Sequence, residues 1–136
     1  MASELRVNTL KDAAGNNSVA TSTVAQGSAK AWCSYNGSGT TFADSFNMTS
    51  ATDNSTGNYT FTLTNAMGNA NYAASSIIHP STSTSASIQT CEADCSSGYL
   101  AGSLRVENAY STSNQSYPRT EFDPTKCAVA FHGDLA

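Results

Sequence analysis

Residues 59–64 read Tyr59-Thr60-Phe61-Thr62-Leu63-Thr64. Large apolar residues and threonine alternate without a break. That is the period-two pattern of a strand with one buried and one wet face. Turn formers bracket it: Asp53-Asn54-Ser55-Thr56-Gly57-Asn58 before, and Asn65-Ala66-Met67-Gly68-Asn69-Ala70-Asn71 after. Upstream, Ala31-Trp32-Cys33-Ser34-Tyr35 reads as a strand closed by Asn36-Gly37-Ser38-Gly39, and Asn-Gly is a strong turn signal. Between the two, Asp44-Ser45-Phe46-Asn47-Met48-Thr49 alternates again. Three short strands with polar turns begin an antiparallel β domain.

Further strands are predicted downstream. Tyr72-Ala73-Ala74-Ser75-Ser76-Ile77-Ile78 is one, stopped by His79-Pro80 because proline cannot donate to a ladder. After the low-complexity run 81–87, alternation restarts at Ile88-Gln89-Thr90, and 92–98 is a loop. Residues 99–108 read as one strand with Leu104 and Val106 on one face and Arg105 and Glu107 on the other. After a polar loop over 111–118, Cys127-Ala128-Val129-Ala130-Phe131-His132 is the last strand. Seven or eight short strands at this spacing predict an all-β fold, an antiparallel β-sandwich or jelly-roll-like domain over residues 30–136.

Residues 1–29 differ. Before Val19 their only bulky apolar residues are Leu5, Val7 and Leu10. Glu4 to Asn8 and Ser18 to Val24 read as weak extended runs around a turn over 12–18. Such a segment cannot build its own core. It is expected to be an extended N-terminal arm that orders against another copy or a larger particle.

Composition narrows the function. The chain has 136 residues, one ordinary domain. Only 12% are charged, while Ser, Thr and Asn make up over a third, which suits hydroxyl-faced strands and turns better than helices. The net charge is −4, and the six basic residues are spread singly, which argues against nucleic-acid binding. No apolar run is long enough for membrane insertion. The first residues carry Glu4, Arg6, Lys11 and Asp12 without an apolar core, so no signal peptide is read there. No catalytic constellation emerges. His79 and His132 stand at strand ends, the acidic residues form no recognisable glycosidase pair, and no phosphate loop is present. The expectation is a non-enzymatic protein without cofactor or metal. A zinc set of Cys91, Cys95, Cys127 and His132 has the wrong spacing. Cys33 and Cys127 lie in alternating strands and read as small buried residues, close together if the first and last strands of the domain pair. Cys91 and Cys95 share one loop in this reading and are the candidate disulfide. Trp32 is expected in the core or a subunit interface, with carbohydrate stacking as the alternative.

The ordered series Lys30-Ala31-Trp32, Asn36-Gly37-Ser38-Gly39, Asp44-Ser45-Phe46-Asn47, the turn 52–57, Asn58-Tyr59-Thr60-Phe61, Asn65-Ala66-Met67 and Ala70-Asn71-Tyr72 resembles the repeated C-terminal β domain of bacteriophage tail fibres and related virion proteins. Residues 1–11 resemble how such fibre proteins begin. The resemblance covers roughly the first half of the chain. It implies a homotrimer carried on a virion, made in the host cytoplasm. Leu5, Val7 and Leu10 would anchor the arm to other tail or capsid proteins, and the β domain would contact a host surface glycan or protein. Candidate receptor-facing loops are those carrying Asn36 and Ser38, Glu92 and Asp94, and Asn114 and Tyr117. A capsid decoration or head-fibre protein and a free carbohydrate-binding module are the alternatives.

Overall fold

A computed structural model describes residues 6–37, 39, 41–79, 87–112 and 119–136. Leu5, Ser38, Asn114 and Tyr117 lie outside the described residues. In chain order the elements are β1 (Thr9–Lys11), β2 (Ser18–Ala20), α1 (Thr21–Gly27), β3 (Ala31–Tyr35), β4 (Phe42–Phe46), β5 (Met48–Ser55), β6 (Asn58–Leu63), β7 (Ala73–His79), β8 (Ser87–Ala93), β9 (Tyr99–Leu100), β10 (Ser103–Thr112), β11 (Thr120–Glu121) and β12 (Lys126–His132).

The domain is an all-β sandwich of antiparallel sheets. One sheet runs β4-β3-β12-β7. The other is centred on β10, which pairs with β6 and β11 along one side and with β8 and β9 along the other, while β5 lies outside β6. The first and last strands of the domain pair, with Cys33 opposite Val129 and Cys127 opposite Tyr35.

Alternation sets the interior. Ala31, Cys33 and Tyr35 of β3, Tyr59, Phe61 and Leu63 of β6, Leu104 and Val106 of β10, and Cys127, Val129 and Phe131 of β12 are all buried between the sheets. Aromatic rings dominate one half of this core: Tyr35 and Tyr59 centroids are 4.7 Å apart, and Tyr35 and Phe61 are 5.5 Å apart. Each fully buried side chain of this size contributes about 2–3 kcal/mol relative to exposure.

Asn47 turns the chain from one sheet into the other. The sequence pattern predicts one strand over 44–49, but β4 ends at Phe46 and β5 starts at Met48 in the opposite sheet. Asn47 takes φ 57°, a left-handed conformation that asparagine tolerates better than most residues. Its side chain fixes the corner. Nδ2 donates to the carbonyls of Lys30 (3.0 Å) and Asn65 (3.1 Å), and Oδ1 accepts from the Asn65 amide at 2.8 Å.

Three other expectations are corrected. Residues 99–108 are not one strand: β9 and β10 fold back on each other around Ala101 and Gly102, with Leu100 opposite Ser103. The loop placed over 92–98 starts later, because β8 continues to Ala93 in register with Val106. The extended run over 18–24 holds only through Ala20; α1 follows. Thr21 hydroxyl donates to the carbonyls of Val7 and Asn8, which anchors the helix start on the hairpin. Lys30 Nζ bonds the Ala25 carbonyl, a favourable place for a cation at a helix C-terminus. The arm is thus a β1–β2 hairpin plus one short helix, with Leu10 opposite Val19. None of its helix residues is buried.

Candidate binding faces and the cysteine cluster

The outward residues of the two sheets make two different surfaces. On the four-stranded sheet, register places Phe46, Trp32, Ala130 and Ser75 in one row across β4, β3, β12 and β7. Asp44, Ser34, Ala128 and Ile77 form the next row. Trp32 is 37% exposed, Phe46 55% and Ile77 72%. Alanine and serine make a low floor between these large side chains, and a shallow trough of about 320 Å³ runs along it, bounded by Trp32 and Ile77. Trp32 is therefore not in the core. Its neighbours Ala31 and Cys33 face inward, and strand parity sends Trp32 outward.

The outer face of the other sheet is polar and internally bonded. Arg105 Nε donates to Asn58 Oδ1 at 2.7 Å, and Asn54 Nδ2 donates to Asn58 Oδ1 and to Thr60 Oγ1. Arg119 bridges Glu92 and Glu107, the latter at 2.5 Å.

The predicted loop residues separate. Asn36 is exposed on a turn held by the Tyr35 hydroxyl, which donates to the Gly39 carbonyl, and by Gly37 N, which donates to the Pro124 carbonyl at 2.9 Å. Glu92 is exposed but engaged by Arg119. Asp94 is turned in: its Oδ1 accepts from the Ser96 amide (2.9 Å), the Ser96 hydroxyl (2.7 Å) and the Ser97 amide (3.0 Å). These bonds, with Arg105 nearby, hold its carboxyl well below the usual range. Its carboxylate therefore closes a turn instead of facing outward. The Asn36 turn packs toward the β6 side of β10, and the Asp94 turn bonds Arg105 from the β8 side, so the structure does not join them in one patch. In the arm, Val7 and Leu10 are both exposed, as are Val19 and Val24.

Groups with chemical potential elsewhere serve the fold. Asp123 Oδ1 accepts from the Tyr59 hydroxyl at 2.5 Å and from the Gly57 amide at 2.7 Å. Burial first, then this bond, raises the Tyr59 hydroxyl far above its ordinary value. Gly57 has φ +73°, and a Cβ there would stand 2.5 Å from the Asn108 carbonyl oxygen, so only glycine fits. His79 pairs with Thr125 at 2.8 Å, and His132 lies at the other end of β12, about 20 Å along the strand. Among the described residues, no group of three or more His, Cys, Asp or Glu side chains is arranged to hold a metal ion, and no helix is long and apolar enough to cross a membrane.

Cys33 and Cys127 lie on paired strands, as expected, and Cys91 joins them from β8, where the sequence pattern places it in a loop. Cys95 is exposed in the Asp94 turn, whereas Cys91 lies within β8 and points toward β12. Its Sγ is 3.7 Å from Cys127 Sγ. Cys33 and Cys127 are buried. All four are free thiols. A shared loop predicts the pair Cys91–Cys95, but β8 extends through Cys91 and turns its sulfur toward Cys127.

Compared with models of known protein families, with curated proteins and with solved structures, the chain matches none.

Proposed function

We propose that this chain is a structural, non-enzymatic bacteriophage virion protein, a small homotrimeric tail fibre or fibre tip. The observation that carries the reading is the outer face of the four-stranded sheet, where Trp32, Phe46 and Ile77 stand over alanine and serine. A trough of this kind suits a flat partner surface, and aromatic residues are enriched in subunit interfaces. The sandwich associates through this face. The exposed Val7 and Leu10 of the arm bind a neighbouring virion protein, with the resemblance to fibre N-termini supporting that direction. Host contact then falls to polar turns such as the one carrying Asn36, and repetition of weak contacts supplies avidity.

The test is the solution mass of the full chain beside a chain of residues 30–136. A trimer in both supports assembly through the β domain. A monomer in both overturns the fibre reading and favours a capsid decoration or head-fibre protein ordered on its particle. One observation favours a second reading, a carbohydrate-binding module: Trp32 and Phe46 are direct cross-strand partners on an exposed face, a pair on which a sugar ring could stack. A monomer whose Trp32 fluorescence shifts on titration with an oligosaccharide would select it.

A further inference from the structure

The two sheets meet at an edge where β7 of one lies beside β8 of the other. Ser76 hydroxyl donates to the Cys91 carbonyl there at 3.0 Å. Just inside this contact, Cys91 from β8 faces Cys127 from β12, sulfur to sulfur at 3.7 Å. A disulfide needs a separation of about 2.0 Å, so the sulfurs must close by about 1.7 Å, within reach of a side-chain rotation and a slight approach of the strands. The two positions are 36 residues apart in the chain and belong to different sheets. We propose that Cys91 and Cys127 are an oxidisable pair that forms a disulfide and locks the two sheets together when the folded chain meets an oxidising medium. The inference rests on the fold alone and holds whatever particle carries the chain.

Competing pairings are less well placed. Cys33 and Cys127 sit on neighbouring strands, but Cys33 is opposite Val129 and Cys127 opposite Tyr35. Such diagonal positions leave their Cβ atoms about 7 Å apart, against about 3.8 Å in a disulfide. Burial also pushes the Cys33 thiol up to about 12, which holds it protonated. Cys95 is exposed in its turn and Cys91 points away from it.

Access and direction are built in as well. A crevice of about 190 Å³ between the sheets is lined by Ser76, Cys91, Ala93, Tyr99 and Val106. A second, of about 310 Å³, reaches Cys91 past Ile77, Ile78 and Gln89. The bond from the Cys127 thiol, opposed by burial and aided by the Ser76 hydroxyl, lowers Cys91, while Cys127 is raised by the same bond and by its burial. Both crevices are lined by Cys91 and neither by the buried Cys127, so Cys91 is the attacking sulfur. With a small-molecule disulfide as oxidant, the Cys91 thiolate attacks one sulfur, forms a mixed disulfide and expels one thiolate. Cys127 then displaces the second small thiol, to which its proton passes. Two protein thiols are oxidised and one small disulfide is reduced to two thiols.

The experiment incubates the full chain with glutathione disulfide, counts free thiols after unfolding, and maps peptides cut after Lys, Arg and Glu. Those cuts put Cys33 and Cys91 in peptide 31–92, Cys95 in peptide 93–105 and Cys127 in peptide 127–136, and the Cys91 substitution tells the first two apart. The expected result is the loss of two free thiols, at Cys91 and Cys127, beyond any glutathione carried by exposed Cys95, a link between peptides 31–92 and 127–136, and a thermal midpoint raised by about 10 °C. Dithiothreitol reverses all three. Cys95→Ser leaves the link intact and Cys91→Ser abolishes it. Four thiols remaining free, a link between 31–92 and 93–105, or a link to 127–136 that survives Cys91→Ser would each overturn the proposal.

Discussion

The two outer faces of the sandwich are built by the same alternation yet finish differently. On the six-stranded sheet, Asn54, Asn58, Thr60, Arg105, Glu107 and Arg119 bond one another. Polar atoms there already have partners, and a second protein would have to replace those bonds at little net gain. On the four-stranded sheet, Trp32, Phe46 and Ile77 present apolar surface over Ala128 and Ala130, whose burial would be favourable. The difference teaches that the same alternation can finish a face in two ways. One face is completed by its own side chains, and the other keeps Trp32, Phe46 and Ile77 exposed, which is where we propose association.

That contrast can be broken in stages. The largest loss is expected where both sheets share one interior. Phe61→Ala empties the ring-packed half of the core and should cost about 3–5 kcal/mol, read as a fall in the urea midpoint with unchanged slope. If the loss were under about 1 kcal/mol, the two sheets would not be packed through that cluster. Next in size is the effect on association. Trp32→Asp or Ile77→Asp should reduce assembly at least about tenfold, the loss of one good interface contact, while the monomer unfolds at nearly the same denaturant concentration. The matching change on the polar face, Thr60→Asp, should leave the assembly state alone. Equal effects from both faces would erase the proposed distinction.

Acid should act on the six-stranded side through Asp94. Its carboxyl is depressed in the folded state from an ordinary value of 3.8 by the Ser96 and Ser97 bonds. A depressed carboxyl adds stability that is complete above its unfolded value, and that is lost as pH falls below 3.8 toward the folded one. Asp94→Asn should therefore flatten the loss of stability between pH 4 and pH 2, measured by thermal midpoint at each pH (about the range set by these carboxyl values). An unchanged acid limb would remove Asp94 from that role. The smallest effect belongs to Arg119. Its pairs with Glu92 and Glu107 are partly exposed, so Arg119→Ala should cost about 0.2–1 kcal/mol, less in high salt.

How legible was this in the residues? β3 is predicted over its full observed range, and β6 and β12 to within a residue at each end, because their alternation is uninterrupted and each has one buried face. The same alternation hides the corner at Asn47. Polar and apolar residues keep their order across it, and period two carries no sign of a change of sheet. The β9–β10 hairpin hides behind Ala101 and Gly102, a turn pair weaker than Asn-Gly. For α1 there was no helical signal, since Thr21-Ser22-Thr23-Val24 are poor helix formers; contacts from Thr21 and Lys30 hold it. The parity of Cys33 and Tyr35 places Trp32 outside, while its size alone points to the core. Of the polar loops, the Asn36 turn is exposed as expected, but nothing local to Asp94 says that its own turn would bind it.

The sequence by itself determined strand composition, alternation and the all-β class, because these depend on side chains one and two residues apart. Tertiary structure decided which sheet each strand joins, which face Trp32 presents and which sulfur Cys91 meets. Cys127 and Cys91 are 36 residues apart, and only the pairing of β8 with β10 and of β12 with β3 and β7 brings them to 3.7 Å. Such contacts depend on register and sheet order, which a period-two pattern leaves open.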